Sequence, residues 1–395
     1  MREKIIQAVE EKAPVYQALA LDIHAHPEVS NYEFHACEVL SKQLAAEDFE
    51  VTVDVAGHRT GFTACYKSAK PGPVIVFLAE YDALAGLGHG CGHNLYGATS
   101  CLAGAALRPL MDELGGELRV YGTPGEEGGE NGSAKGSFVR EGFLKDVDAA
   151  MGIHSGSQPW HGLSRPNLGC APVDIEFWGR SAHAAAAPEQ GINALDALIL
   201  TFNGINALRQ QLTDDVRIHG IVVDGGKAPN SIPDYAHGKF YLRADNAPGL
   251  EAVYQKVEAI VQAAAAMTGA KGRMRPYQNR VENMLVTPSL DAVYAEALRS
   301  LGVTDIRQET GVEMGSSDVG NISQVVPTIQ PFIPICDHPI PGHSEAFRDA
   351  ACSEMGLQSV VLGAKAMALT AFTLYTDPER LKTIRADHAE RVKAQ

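Results

Sequence analysis

Apolar residues recur at helical spacing through the first 50 positions, in Ile5, Ile6, Val9, Val15 and Leu19 and again in Cys37, Val39, Leu40 and Leu44, which predicts helices there. The pattern then becomes that of strands. Short β-rich runs at 51–55 and 61–67 lead to 74–79, where apolar residues follow one another without alternation, as in a strand buried on both faces. A glycine-rich turn and a small-residue helix over about 94–114 come next. Strand signals return at 118–122 and 149–153 with helix-compatible sequence between them, and this βαβ succession predicts an α/β fold with a mostly parallel central sheet flanked by helices.

Near residue 170 the pattern changes again. A strand at 173–178, a helix at 193–212, strands at 216–223 and 238–244, a helix at 250–268 and a last strand near 271–277 spell βαββαβ, the ferredoxin-like, split-βαβ succession. From about 285 the chain returns to a helix (289–301), an apolar strand (325–335) and a closing helical stretch after Cys352. The economical division is one discontinuous α/β domain, 1–169 and 285–395, interrupted by an inserted domain, 170–284.

Composition narrows the function classes. The 395 residues are 45% hydrophobic and 21% charged, which excludes a disordered chain. A formal net charge of −15 with no lysine or arginine cluster leaves nothing to drive nucleic-acid or anionic-membrane binding. No apolar run approaches the ~20 residues of a bilayer span, and acids interrupt the start where a signal peptide would be apolar, so the expected location is cytoplasmic. The 7 cysteines are odd in number and form no CxxC pair, so neither a disulfide framework nor a four-cysteine zinc module fits. Most should be small buried apolar groups; Cys91 is the exception.

Three dense polar clusters lie directly after three of the predicted parallel strands. Glu80-Tyr-Asp82 and the glycine-rich His89-Gly-Cys91-Gly-His93-Asn94 follow 74–79, Glu126-Glu127 follows 118–122, and His154 follows 149–153. Ligand crevices of open parallel sheets lie outside the carboxyl ends of the strands, so these side chains should converge. Thiol, imidazole and carboxylate are ligands for zinc and its neighbours, and Cys91 and His93, two apart in an extended turn, should face the same way. Of two adjacent glutamates pointing to different sides, one can bind metal while the other shuttles a proton. Each element alone has a plainer reading as a packing, capping or solvated residue, and only convergence favours a metal site. A dinucleotide site, the rival reading of the first loop, is disfavoured because Gly86-x-Gly88-x-x-Cys91 and Gly88-x-Gly90-x-x-His93 both lack the third glycine, and no GxxxxGK[ST] occurs.

The motifs HAHPE (24–28), EYDALAGLGHGCGHN (80–94), GTPGEEGG (122–129), GIHSG (152–156), GRSAHAAAAPEQGINALDAL (179–198), GGKAPNSIPDYA (225–236), GSSDVGNIS (315–323) and PGHSEAF (341–347) run in order over nearly the whole chain. Together they resemble the dinuclear metallo-amidohydrolases related to aminoacylase and glutamate carboxypeptidase, in the branch of aminobenzoyl-glutamate hydrolase, hippurate and auxin-conjugate hydrolases and β-alanyl-lysine-type dipeptidases. The resemblance implies two divalent metal ions (Zn, Mn or Co) per subunit, bridged by Cys91 and further held by His93, Glu127, His154 and His343, with Glu126 as general base. It implies that 170–284 is a lid and homodimerisation domain whose His183 reaches a partner subunit's site to stabilise the oxyanion. Asn230 and Arg243 match positions that hold a substrate carboxylate, and Asp82 would orient a ligand imidazole. Their plainer roles are a helix cap for His183, a turn before Pro233 for Asn230 and a solvated strand residue for Arg243.

Asp318 would brace a loop, His89 is open between support and packing, and His219 and His338 carry no assignment. Two departures weaken an aromatic acyl preference: Ala85 stands where many relatives have proline, and Asn94 where auxin-conjugate and hippurate hydrolases have Asp. The implied reaction is metal-dependent hydrolysis of the amide of a small N-acyl amino acid or aminobenzoyl-glutamate-like conjugate, with dipeptide cleavage as the alternative. The non-enzyme alternative is an inactive ligand-binding descendant of the fold.

Overall fold

The computed structural model describes residues 1–394, which fall into two compact units. Of these, the first comprises 1–166, 284–313 and 318–394, and the second 167–283 with 314–317.

In the first unit a six-stranded sheet runs in the order Glu50–Val55, His58–Lys67, Glu117–Gly122, Val74–Ala79, Ala149–Met151 and Thr328–Ile329. The last four strands are mutually parallel, and the first two form an antiparallel extension. The helix His93–Leu107 is buried along its entire length beneath this sheet, which accounts for its Ala- and Gly-rich sequence. Gly97 lets it approach the strand end so closely that a Cβ there would lie 2.7 Å from the Glu80 carbonyl oxygen. The helices Arg2–Ala25 and Glu354–Thr376 pack against it and share its core with Tyr16, Phe77, Leu102 and Met367. Glu354–Thr376 is, by length and composition, apolar enough to cross a bilayer, contrary to the expectation from the sequence that no stretch would be; 61% of its most apolar window is buried in this core. On the other sheet face Val76, Leu78, Tyr121 and Phe138 form a second core.

Three expected boundaries shift, each for a local reason. The helix predicted over 94–114 starts at His93 and yields to a 3₁₀ turn at Arg108–Leu110, where Pro109 cannot donate to the ladder. The strand predicted over 149–153 ends at Met151, and His154–Gly156 opens a strand in a separate small sheet. The run 325–335 is not one strand. Pro327 and Pro331 divide it, so that Thr328–Ile329 completes the large sheet while Phe332–Pro334 pairs with His154–Gly156.

The second unit is an antiparallel sheet in the order Lys271–Pro276, Gly169–Trp178, Tyr235–Ala244 and Arg217–Asp224, with the helices Ala194–Leu208 and Ala247–Thr268. Its core is built from Val173, Ile175, Phe177, Phe240, Leu242 and Val257. Asn193 and Asn246 cap the two helices with their side-chain oxygens, and left-handed Gly269 ends the second.

Candidate metal centre

The three parallel strands Val74–Ala79, Glu117–Gly122 and Ala149–Met151 end side by side, and the polar loops that leave them meet in the first unit. Gly92 has φ +76°, a left-handed conformation open to glycine, and a Cβ on it would lie 2.5 Å from Ser155 Oγ. This kink makes His93 the first helical residue, so Cys91 and His93 are brought together by a left-handed turn and not by the extended one the spacing implied. Potential ligand atoms of Cys91, His93 and His154 lie within 4.8 Å of one another, as do those of Cys91, Glu127 and His343, and those of His93, Glu126 and Glu127. Cys91, His93 and Glu127 each belong to two groups, so the three sets form one continuous cluster with the thiol between its halves.

Each donor is held from behind. His93 Nδ1 donates to Asp82 Oδ1 at 2.9 Å, which leaves Nε2 facing the cluster. His154 Nδ1 lies 2.8 Å from the Ser155 carbonyl oxygen, and its Nε2 is 3.5 Å from Cys91 Sγ. Asp82 Oδ2 accepts the backbone N–H of Glu127 at 2.9 Å, so one buried carboxylate fixes a histidine and a glutamate together. His343 donates its backbone N–H to the Gly90 carbonyl and adopts φ +53°, a strained conformation for a non-glycine residue, with its Nε2 3.5 Å from Glu127 Oε1.

The electrostatics are those of a crowded acidic pocket. Burial, reinforced by the neighbouring charges of Glu80 and Glu127, pushes the Glu126 carboxyl well above the usual range. Glu127 is raised chiefly by burial, as is the Cys91 thiol. Burial works against a charged His93, but Cys91 and Asp82 more than reverse it, so its imidazole is raised. Burial and the nearby His93 lower His154. His93 Nε2 and Glu127 Oε1 are buried without a hydrogen-bond partner among the described residues. Orphaned donor atoms that point into a thiol, imidazole and carboxylate cluster fit one or more divalent cations.

Beside this cluster lies a charged network whose central residue, Lys135, the sequence did not disclose. Glu80 is fully buried with Oε2 3.4 Å from His93 Nε2, and its Oε1 is 2.8 Å from the ammonium of fully buried Lys135. Lys135 Nζ also donates to Asp318 Oδ1 at 2.6 Å, and the Lys135 backbone N–H reaches Asp318 Oδ2 at 3.1 Å. Asp318 thus braces Lys135. His89 packs: its ring stacks on His24, its Nε2 lies 3.1 Å from the Ile23 carbonyl oxygen, and burial lowers it to about 3. Asn94 donates to the Ala20 and Ala351 carbonyls and so ties helices together. Asp22, His26 and His35 form a further group of ligand-type side chains at the surface.

His183, Asn230 and Arg243 all belong to the second unit. His183 Nδ1 accepts the backbone N–H groups of Ala185 and Ala186 at 3.3 and 3.1 Å, a local cap that leaves the ring proton on Nε2. His183 is bridged to Ser231, and the neighbouring Asn230 carbonyl accepts the Ala184 N–H. Arg243 donates to Ser316 Oγ at 2.7 Å and lies 3.4 Å from His219 Nε2. His338 is paired with Asp337 at the surface.

The model of peptidase family M20/M25/M40 matches residues 79–370. Over 399 residues the chain is 32% identical to an Xaa-Arg dipeptidase of Homo sapiens, covering 96% of this chain and 90% of that protein. It is 29% identical over 461 residues to one of the p-aminobenzoyl-glutamate hydrolase polypeptides of Escherichia coli K12, covering 98% and 94%. A solved Bacillus subtilis dinuclear metal-binding peptidase of family M20 superposes with a TM-score of 0.65 at 20% identity over 92% of this chain and 99% of its own. The chain therefore belongs to peptidase family M20/M25/M40, whose members are hydrolases of amide and peptide bonds.

Proposed function

We propose that this protein is a metal-dependent amidohydrolase that cleaves the amide bond of a small N-acyl amino acid or aminobenzoyl-glutamate-like conjugate. The observation that carries this reading is the meeting of Cys91, His93, Glu127, His154 and His343 in one cluster with Glu126 at its edge. Cys91 would bridge two divalent cations, Zn, Mn or Co, with His93, Glu127, His154 and His343 completing their protein ligands. Such ions, when bound, would lower the pKa of a water from about 15.7 towards about 7 and polarise the amide carbonyl.

The chain's own groups supply the proton transfers and the positioning. Glu126, whose burial favours taking up a proton, would accept one from the attacking water and deliver it to the leaving nitrogen. Asp82 orients His93 and Glu127. The segment 170–284 would act as lid and dimerisation domain. Its edge strand Arg217–Asp224 exposes Ile221, Val222 and Val223 at 64, 50 and 50%, a template for pairing with a second copy. His183, with its proton on Nε2, would donate to the developing oxyanion in the site of a second subunit, and Asn230 and Arg243 would hold a substrate carboxylate.

A second reading, dipeptide cleavage, is favoured by the 32% identity to an Xaa-Arg dipeptidase. The test is a hydrolysis panel of N-acyl amino acids, aminobenzoyl-glutamate and dipeptides, run after chelation and after return of each metal. Turnover lost on chelation and restored by one metal supports the proposal. Metal-independent turnover, or none on any amide, refutes it.

A further inference from the structure

The metal-ligand cluster opens into a cavity of about 180 Å³ within the first unit, with Cys91, His154 and His343 on one side and Trp160, Arg165, Glu309, Glu313 and Phe332 among the residues on the others. Arg165 is held by two carboxylates. Its Nη2 lies 2.8 Å from Glu313 Oε1, its Nε donates to Glu313 Oε2 at 3.0 Å, and its Nη1 donates to Glu309 Oε2. Glu309 Oε1 accepts the Trp160 indole N–H at 3.1 Å. Arg307 stacks over Trp160 at 4.1 Å, but it is spent on Asp305 at 2.7 Å. Three carboxylates therefore face two guanidiniums, and the wall carries one unbalanced negative charge. The ring of Phe332 lies beneath Arg165, with its centroid 5.2 Å from the guanidinium carbon, and lines the same cavity.

We infer that Glu309 and Glu313, gathered on Arg165, are the charge-selecting residues of this active site, and that they favour a substrate carrying a cationic side chain next to the scissile amide. The inference rests on the hydrolase reading above and deepens it. The substrate's terminal ammonium or guanidinium would complete the charge of the Glu309–Arg165–Glu313 array in the cavity that Phe332 and Trp160 also line. A glutamyl side chain would bring a further anion to a wall already short of positive charge, so the inference favours the dipeptide reading over aminobenzoyl-glutamate-like conjugates. Carboxylates already paired on a fixed guanidinium are pre-organised, and a cation added to them needs little reordering.

Metal-loaded full-length enzyme is assayed by amine release on Gly-Lys, Gly-norleucine and Gly-Glu, and on the reversed Lys-Gly, norleucine-Gly and Glu-Gly. In at least one orientation kcat/KM for lysine should exceed that for norleucine by about ten-fold or more, with glutamate the poorest. That preference should shrink as ionic strength rises from about 0.05 to about 0.5 M, because the wall is partly exposed to solvent. In E309Q/E313Q the lysine-to-norleucine ratio should fall towards one while the glutamate-to-norleucine ratio rises, since Arg165 loses both counter-charges. A wild-type ratio near one in both orientations overturns the inference, as does a double variant that keeps the wild-type ratio. If the double variant does not fold, the salt series on the wild-type enzyme decides in the same way. Cleavage without charge preference overturns this inference alone, whereas cleavage of none of the peptides, or of any N-acyl amino acid, refutes the hydrolase reading and the inference with it.

Discussion

Replacing Asp82 by Asn asks whether the cluster is organised from behind. Asp82 is buried, with Oδ1 on His93 Nδ1 at 2.9 Å and Oδ2 accepting both the Glu127 backbone N–H at 2.9 Å and the Ser30 hydroxyl at 3.3 Å. Asparagine keeps the shape but has one acceptor. If its carbonyl stays on His93, its NH₂ confronts the Glu127 N–H, and one buried donor goes unsatisfied at a cost of about 1–3 kcal/mol. If the amide flips, His93 must accept at Nδ1 and move its proton to Nε2, the atom that faces the cluster.

Loss of the negative charge also removes one of the two groups that keep the His93 imidazole basic against its burial. Removing such a supporting partner lowers metal affinity by about 10–100-fold, and we expect that loss here. Metal content after dialysis at fixed free metal, competition with a chromogenic chelator and hydrolysis at saturating metal measure it. Asp82→Ala, which removes both acceptors, should be worse still. A folded Asp82→Asn protein with wild-type metal affinity would refute the reasoning.

Glu126→Ala should keep its metal and lose at least about 10² in turnover, because the proton acceptor goes while the ligands remain; metal analysis beside a rate measurement checks this, and normal hydrolysis rejects the assignment. Lys135→Met leaves Glu80 and Asp318 buried without their counter-charge and should cost about 3–5 kcal/mol, read as a lower midpoint in urea; an unchanged midpoint would show that the ammonium is dispensable. Burial pushes the Asp291 carboxyl from 3.8 to about 7 although two groups of Ser164 donate to it. The folded state thus holds a proton that the unfolded chain releases, so this contribution is complete below about pH 4 and is lost as pH rises through 7. Asp291→Asn should therefore gain on the wild type above pH 7, by at most about 4 kcal/mol, and lose that advantage towards pH 4; a pH-independent difference in urea midpoints contradicts it.

What could be read in advance divides along physical lines. Val74–Ala79 was legible because a strand buried on both faces has no polar alternation, and the loops after it and its parallel neighbours were legible as a convergent site because strand ends dictate where loops go. The run at 325–335 misled because apolarity does not record strand partners; the prolines in it hand Thr328–Ile329 and Phe332–Pro334 to different sheets. The turn at Gly92 misled in the same way, since spacing records neither φ nor the start of a helix. Lys135 and its pairing with Glu80 were invisible for another reason. A glutamate after a strand and a lysine among small residues have the sequence signature of solvated loop positions, and only the three-dimensional pairing of Glu80, Lys135 and Asp318 allows their complete burial.

That buried network bears on how the cluster can be built at all. Glu80, Asp82, Glu126, Glu127, Asp318 and the Cys91 thiol crowd a region where, apart from histidines, Lys135 is the ammonium the chain places among them. Lys135 pairs with Glu80 and Asp318, while Glu126, Glu127 and Cys91 gather around the imidazoles of His93 and His343. Asp82 is satisfied on both oxygens, while Glu127 Oε1, His93 Nε2 and both Glu80 oxygens are buried without a hydrogen bond among the described residues. The unsatisfied atoms thus include those that a cation at Cys91, His93 and Glu127 would need. Unsatisfied buried atoms gathered at a cluster of thiol, imidazole and carboxylate are the pattern of a ligand set.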